Sequence, residues 1–329
     1  MARNYYIFKS GTLRRKGNTL YLEKDEERRI LPVEDVESLY LFGQLNFNSE
    51  LVEFLCQKGI PVHFFGYYEN YCGTLYPREY LRAGFMVVKQ VEHYLDPEKR
   101  LTLAREIVSG AVENVLRNLK YYHKRVKELE EVIFKIEQES QDLTRINTIP
   151  ELMSLEGRVH ELYFNSFNLF LRSEFPFLGR ERRPPTDPLN ALISFGNSLL
   201  YATTLSQIYH TQLDPTISYL HEPGARRLSL SLDLSEIFKP IIVDRTIFKL
   251  VNNRMLGEKD FDQDLNYCYL TESGRKTFVQ EYEDRLNQTI EHRSLKRHVS
   301  YQRLIRLECY KLARHLVGDQ PYKAFRMWW

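Results

Sequence analysis

The apolar residues of this chain follow one period before about residue 90 and another after it, and that change constrains the fold more than any single motif. The early runs YYIF, TLRRKGNTLYLEK and RRILPVEDVESLYLF are short, rich in aromatic and β-branched residues, and partly alternating. Alternation sends successive side chains to opposite faces of a strand. From Asp96 onward Leu101, Ala104, Val108, Ala111 and Val115 recur every three or four positions, the spacing of a helix with one buried stripe. The expected class is α+β: a small β-rich N-terminal domain over 1–90, followed by a larger all-α domain over 91–329. At 329 residues the chain exceeds the usual single-domain size, so each part can bury a core of its own.

Local signals fill in this outline. Lys16-Gly17-Asn18 reads as a hairpin turn. One helix is expected from an Asn48 N-cap through LVEFLCQK to a stop at Gly59, before IPVHFF resumes as a buried strand. Asp96-Pro97 pairs an N-cap with a proline at the first helical position. Lys124 to Glu139 reads as a solvated helix with a narrow seam of Val126, Leu129, Ile133 and Ile136. Thr148 and Glu151 form a capping box around Pro150, opening a helix expected to reach about Arg172. A further helix opens at Asp187-Pro188, carries Leu189, Leu192, Ile193, Leu199, Leu200 and Thr203 on one face, and stops near Asp214-Pro215. Pro184-Pro185 and the stretch Gly257 to Gln263 are expected to be flexible.

The net charge of +2 conceals local basic clusters at Arg180, Arg182 and Arg183 and from Arg293 to Arg306. Cys56, Cys72, Cys268 and Cys309 are scattered without a CxxC pair, the usage of buried thiols in a reducing compartment. No apolar run approaches the ~20 residues of a membrane span, and MARNYYIFKSGTLRRKG lacks the apolar stretch of a signal peptide. A soluble, intracellular protein without membrane contact is expected.

Three chemically unusual runs carry the candidate site: LMSLEGRVHELY with Glu156, SYLHEPGARR with His221, and LDLSEIFKPIIVDR with Glu236. Two carboxylates and an imidazole without thiolate favour a hard divalent ion, Mg²⁺ or Mn²⁺, and phosphate chemistry over structural zinc. Glu156 shares a helical face with Leu152, Val159, Tyr163 and Phe167. An ionised carboxylate there needs a cation, a hydrogen-bond network or a proton. A local pair with His160, four residues on, satisfies that need as well as a metal does. Gly157 costs its helix ~1 kcal/mol relative to alanine, which points to a close approach at its backbone. His221 lies on irregular backbone. Asp233 and Glu236 face the same way if their run is helical, yet Leu228, Leu230, Leu232 and Leu234 alternate as in a strand, which would oppose them. Tyr163 and Tyr219 are either positioning groups near the site or core residues with satisfied hydroxyls.

Taken together, EG…YF near Glu156, RPPTDPLNALISFGNSLLY from Arg183, LDPTISYLHEP around His221 and LDLSEIFKPIIVDR from Leu232 resemble the CRISPR-associated adaptation integrase family. LFGQLNFNSELVEFLCQKGIPVHFF looks like that family's N-terminal β domain and LTESGRKTFVQEYEDRL like its C-terminal helices, so the resemblance covers essentially the whole chain. It implies metal ligands at Glu156, His221 and Glu236, with Asp233 as a further acidic residue close to the metal, and a helical DLSE run. Ser218 stands where many members carry glycine. The resemblance also implies a metal-dependent DNA endonuclease and integrase of the prokaryotic cytoplasm, inserting short foreign fragments into a CRISPR array by transesterification during adaptation. Its implied partners are double-stranded DNA, as fragment and as repeat, a second copy of the chain joined through the β domain, and the small second adaptation protein.

Such chemistry needs no protein nucleophile, and the sequence offers no recognisable Ser-His-Asp arrangement and no GxxxxGK[ST] loop. Arg180, Arg182, Arg183, Arg226, Arg227, Lys239 and Arg245 are the candidate phosphate contacts. Each has an ordinary alternative, such as an Arg245–Asp244 ion pair. Two other readings belong to different classes. One is a zinc hydrolase using Glu156, His160 and His221. The other is a non-catalytic nucleic-acid scaffold whose acids form only ion pairs.

Overall fold

A computed structural model describes the chain apart from residues 1–2, 25–26, 79–80, 82, 172–174, 176, 178, 182–183, 225–227, 265–266 and 329. It separates into two compact units, residues 1–80 and 81–329.

The first unit is built from strands β1 (Arg3–Ile7), β2 (Gly11–Lys16), β3 (Thr19–Lys24), β4 (Glu27–Pro32), β5 (Val36–Leu41) and β6 (Leu45–Asn46), helix α1 (Ser49–Gln57), and strands β7 (Val62–Phe65) and β8 (Tyr71–Leu75). They form two four-stranded sheets, in the orders β1-β5-β7-β8 and β4-β3-β2-β6. The first is parallel except for the β7–β8 pair, and the second is antiparallel except for β2–β6. Gly17 turns the β2–β3 hairpin with φ +60°, a conformation that the first residue of such a two-residue loop requires. The Asn48 side chain accepts from the Leu51 N–H at 3.1 Å and starts α1 as expected. Leu13, Leu20, Leu39, Leu51, Phe54, Leu55 and Val62 close an apolar core between α1 and the strands.

The second unit is mostly helical. It contains α2 (Gly84–Leu95), α3 (Pro97–His123), α4 (Leu129–Asp142), α5 (Ile149–Asn165), α6 (Phe167–Phe170), α7 (Pro188–Tyr209), α8 (Leu230–Phe238), a π-helical turn (Lys239–Asp244) and α9 (Arg245–Asn252). The hairpin β9 (Phe261–Asp264) and β10 (Tyr267–Leu270), helix α10 (Glu272–Asn287), the hairpin β11 (Thr289–His292) and β12 (Arg297–Ser300), and helix α11 (Tyr301–Leu316) follow. Among the described residues no helix is long and apolar enough to cross a membrane.

Several details depart from the sequence expectations. Helix α2 precedes residue 90 because its helical signal is masked: Phe85, Val88, Val91 and Leu95 are exposed, and it buries only Met86 and Gln90. The seam helix α4 starts at Leu129, after a turn over 124–128. The helix opened by Thr148 breaks at Ser166, whose hydroxyl donates to the Tyr163 carbonyl at 2.6 Å. Helix α7 is buried on almost every side, not on one face, and it ends at Tyr209. Gly196 makes this possible, since a Cβ there would come within 2.5 Å of Val243 Cγ1 on the π turn. The stretch 257–263, expected to be loose, is a 3₁₀ turn (Glu258–Asp260) running into a paired strand. Cys268 and Cys309 are buried, but Cys56 is only half-buried and Cys72 is exposed.

Candidate metal centre

Helices α5 and α8 meet at their carboxylates. Donor atoms of Glu156, His160 and Glu236 lie within 4.8 Å of one another, close enough to share one ion. His160 Nδ1 stands 3.0 Å from Glu156 Oε1, so the local pair forms, and it forms as part of the cluster. Glu236 is 4% exposed. One of its oxygens meets the Lys239 ammonium, one helical turn on, and the other, Oε2, is buried with no hydrogen-bond partner among the described residues. Burial works to raise this carboxyl, but the charge of Lys239, then those of His160 and His221, hold it below its usual range. The result is an ionised oxygen, out of water, with no donor among the described residues. An unpaired buried anion is costly. The donor set of two carboxylates and imidazole therefore fits a hard divalent cation by chemistry and by the orphaned oxygen alike.

His221, expected as the third ligand, is not among the donors of that cluster; it stands on an irregular loop, close enough to Glu236 for their charges to interact. Asp233, in the first turn of α8 and fully buried, accepts from the backbone N–H groups of Tyr219 (2.7 Å), Leu220 (2.9 Å) and His221 (3.0 Å). Its Oδ1 is also 2.8 Å from His221 Nδ1. A carboxylate at that distance accepts a hydrogen bond from Nδ1–H, which in the neutral ring leaves Nε2 with the free electron pair. Burial opposes the charge on His221, but the Asp233 hydrogen bond and charge, reinforced by Glu236, raise it above its ordinary value. Asp233, expected as a further acid close to the metal, is thus engaged in holding the histidine loop.

More residues hold this loop than the sequence suggested. Gln90 exchanges two hydrogen bonds with the Asp214 backbone, 3.0 and 2.7 Å. Arg100 donates to the Tyr219 carbonyl at 2.9 Å and to Glu222 at 2.6 Å. Ser218, the departure from glycine, lies 2.7 Å from both the His221 carbonyl and Ser229 Oγ, knitting the loop across its base. Nothing in the spacing of Gln90 or Arg100 marks them, because their partners are over 100 residues away.

The conflict over the DLSE run resolves as helix, so Asp233 and Glu236 share a side one turn apart. Pro240 then interrupts the regular ladder, since it has no N–H to donate, and the backbone widens into the π turn. Side chains from neighbouring helices satisfy carbonyls around it. Asn114 donates to Ile237 O at 3.0 Å, Asn118 to Pro240 O at 2.8 Å, and Arg285 to Ile241 O at 2.9 Å.

The remaining candidates fall out as follows. Arg180 is half-buried and donates to Asn190 Oδ1 at 2.8 Å and Ser194 Oγ at 3.0 Å. Lys239 pairs with Glu236. Arg245 donates to Asn118 Oδ1 at 2.8 Å, while its neighbour Asp244 takes a hydrogen bond from Tyr163. Arg182, Arg183, Arg226 and Arg227 lie outside the described residues. Tyr163 and Tyr219 are core residues, 1% and 0% exposed. Among the described residues outside the backbone of α5, nothing comes within 4 Å of a Cβ at Gly157, so they do not make the close approach expected there.

A strand-rich unit joined to a helical unit that holds a carboxylate–imidazole cluster defines the class: an α+β protein with two carboxylates and an imidazole gathered between two helices. Residues 5–284 match the family model described as CRISPR associated protein Cas1. The chain belongs to the Cas1 family. It is 52% identical over 328 residues to a protein of Thermodesulfovibrio yellowstonii named CRISPR-associated endonuclease Cas1 3, covering 99% of this chain and 100% of that one. A solved Cas1 protein from Thermotoga maritima superposes with a TM-score of 0.89 at 42% identity, covering 98% of this chain and 100% of the other. A casposase bound to its integration product shares the fold, with a TM-score of 0.85 at 20% identity over 99% of this chain and 96% of that one.

Proposed function

We propose that this Cas1-family chain is a metal-dependent DNA endonuclease and integrase that inserts short duplex fragments into a CRISPR array. The observation that carries this reading is the convergence of Glu156 and Glu236, with Glu236 Oε2 buried and without a partner among the described residues. Names of full-length relatives that call them endonucleases support it.

Glu156, Glu236 and, turned toward them, Nε2 of His221 would hold the ion, Mg²⁺ or Mn²⁺. When bound, it supplies Lewis-acid polarisation of the scissile phosphate and offsets charge developing on the phosphoryl oxygens. In the reaction a 3′-hydroxyl of the fragment forms a new P–O bond to the repeat, and the repeat's own 3′ oxygen leaves and takes a proton. The chain's residues orient this exchange. Asp233 keeps the His221 loop in place and its Nδ1 protonated. Lys239 carries an ammonium with three donors beside Glu236, a point charge suited to a phosphate oxygen. Arg180, Arg182, Arg183, Arg226, Arg227 and Arg245 are the further phosphate contacts of this reading. The protein works as a homodimer through the strand-rich unit, with the small second adaptation protein, on double-stranded DNA.

His160 favours one variant of this reading, in which it is a ligand, because it sits inside the cluster with Glu156. The two versions separate by mutation. Supercoiled repeat plasmid plus a short duplex with free 3′-hydroxyls yields covalent products only with divalent metal, and His221→Ala eliminates them while the circular dichroism stays that of the parent. Joining that survives His221→Ala but is lost in His160→Ala shifts the site to the second version.

A further inference from the structure

Glu156 and Glu236 belong to different helices, and something must set the distance between them. The ion cannot do so by itself, since two like charges repel until it arrives. The link lies deeper in the unit. Tyr163 is two helical turns beyond Glu156 on α5, and it is 1% exposed. Its hydroxyl accepts from Asn118 Nδ2 on α3 at 3.0 Å and hydrogen-bonds the carboxyl of Asp244, the last residue of the π turn that follows Glu236. Asn118 uses the same amide nitrogen on Pro240 O at 2.8 Å, and its oxygen accepts from Arg245 Nε at 2.8 Å. One buried phenol therefore joins the helix of the first carboxylate to the turn that follows the second. Asn118 fixes the register of that turn from the side.

We infer that the Tyr163 hydroxyl, held between Asn118 and Asp244, is the positioning group that sets the separation of Glu156 and Glu236 and so the affinity of the site for its cation. This rests on the metal reading above. Buried hydrogen-bonded networks of this kind specify one arrangement because each member has a single satisfied geometry. Groups one step behind metal ligands commonly govern affinity tenfold to a hundredfold. Burial pushes the Asp244 carboxyl up to about 7, the behaviour of an acid enclosed with the phenol and screened from water.

The test is a titration of free Mn²⁺ by electron paramagnetic resonance on the full chain without DNA. The parent binds Mn²⁺ and Glu156→Gln abolishes binding. Tyr163→Phe weakens it by about tenfold or more, and strand joining by the variant is restored at high Mn²⁺. Tyr282→Phe is the control, because it removes an equally buried hydroxyl, 2.9 Å from Thr203 Oγ1, far from the carboxylates in the chain; its Mn²⁺ affinity matches the parent. If Tyr163→Phe does not fold, Asn118→Asp, of nearly the same shape but without the donor, is read in the same way. Parent-like Mn²⁺ affinity in the folded Tyr163 or Asn118 variant overturns the inference while leaving the metal site standing. A parent chain that binds no Mn²⁺ overturns the metal reading itself.

Discussion

Two histidines, one in each unit, are treated in opposite ways by their surroundings. His63 on β7 is wholly buried, lies against Tyr40, and pairs with the neutral Thr74 Oγ1 at 2.7 Å. Burial pushes it down to about 3, so it is a neutral core residue at any ordinary pH. His221 is only partly buried, and a fully buried carboxylate accepts the hydrogen bond of its Nδ1–H, which raises it above its ordinary value. Burial alone makes a structural histidine. Partial burial beside Asp233, with Glu236 nearby, makes one whose ring is oriented through Nδ1 and which takes up a proton more readily than usual. The same contrast runs through the units at large: the strand-rich unit has a core of Leu, Val and Phe, whereas the helical unit encloses Asp233, Glu236 and Asp244.

The sharpest way to break this comparison is to remove the charge on each side. Glu236→Ala should reduce strand joining by about a thousandfold or more with the fold intact, and retained joining would place the chemistry elsewhere. Asp233→Asn should follow, lowering joining about tenfold to a hundredfold through a misoriented His221, with part of the loss recovered at high Mn²⁺. His63→Ala should do the reverse. It opens a core space and costs about 3 kcal/mol of stability by chemical denaturation, yet joining per folded molecule should equal the parent; a metal-dependent defect there would end the distinction.

How much of this was legible depends on the range of each signal. Asn48, Asp96, Thr148 and Asp187 announced their helices because a cap and its N–H donors are three residues apart or fewer. The Glu156–His160 pair was visible for the same reason. The π turn was not: Pro240 signals a disturbed helix, but only Asn118 and Arg285, at a distance in the chain, determine that it widens and does not end. Helix α2 escaped notice because its apolar residues point outward. The placement of Asp233 under the histidine loop, and of Gln90 and Arg100 around it, depends wholly on tertiary contact. Motif order singled out Glu156 and Glu236, which packing brings together, whereas the place of His160 beside both depends on the fold.

Two smaller effects sharpen the contrast further. Asp244 keeps its proton up to about pH 7 when folded and releases it near 4 when unfolded. Its folded value is the higher one, so its contribution to stability is complete below about pH 4 and is lost as pH rises through 7. Asp244→Asn should therefore gain in Tm relative to the parent as pH rises from 5 to 8, and parallel Tm profiles would contradict this. Gly157→Ala has open space for its Cβ and should stabilise α5 by about 1 kcal/mol. If DNA makes the close approach that the described residues do not, the same substitution slows joining, and unchanged joining removes Gly157 from the DNA path.

The central claim is that Glu156, His221 and Glu236 share one cation, and anomalous diffraction from crystals soaked in Mn²⁺ tests it most directly. The account expects a single strong peak bonded to an oxygen of each glutamate and to Nε2 of His221. A peak bonded to Glu156, His160 and Glu236 with His221 turned away, or density for no ion between α5 and α8, would contradict it.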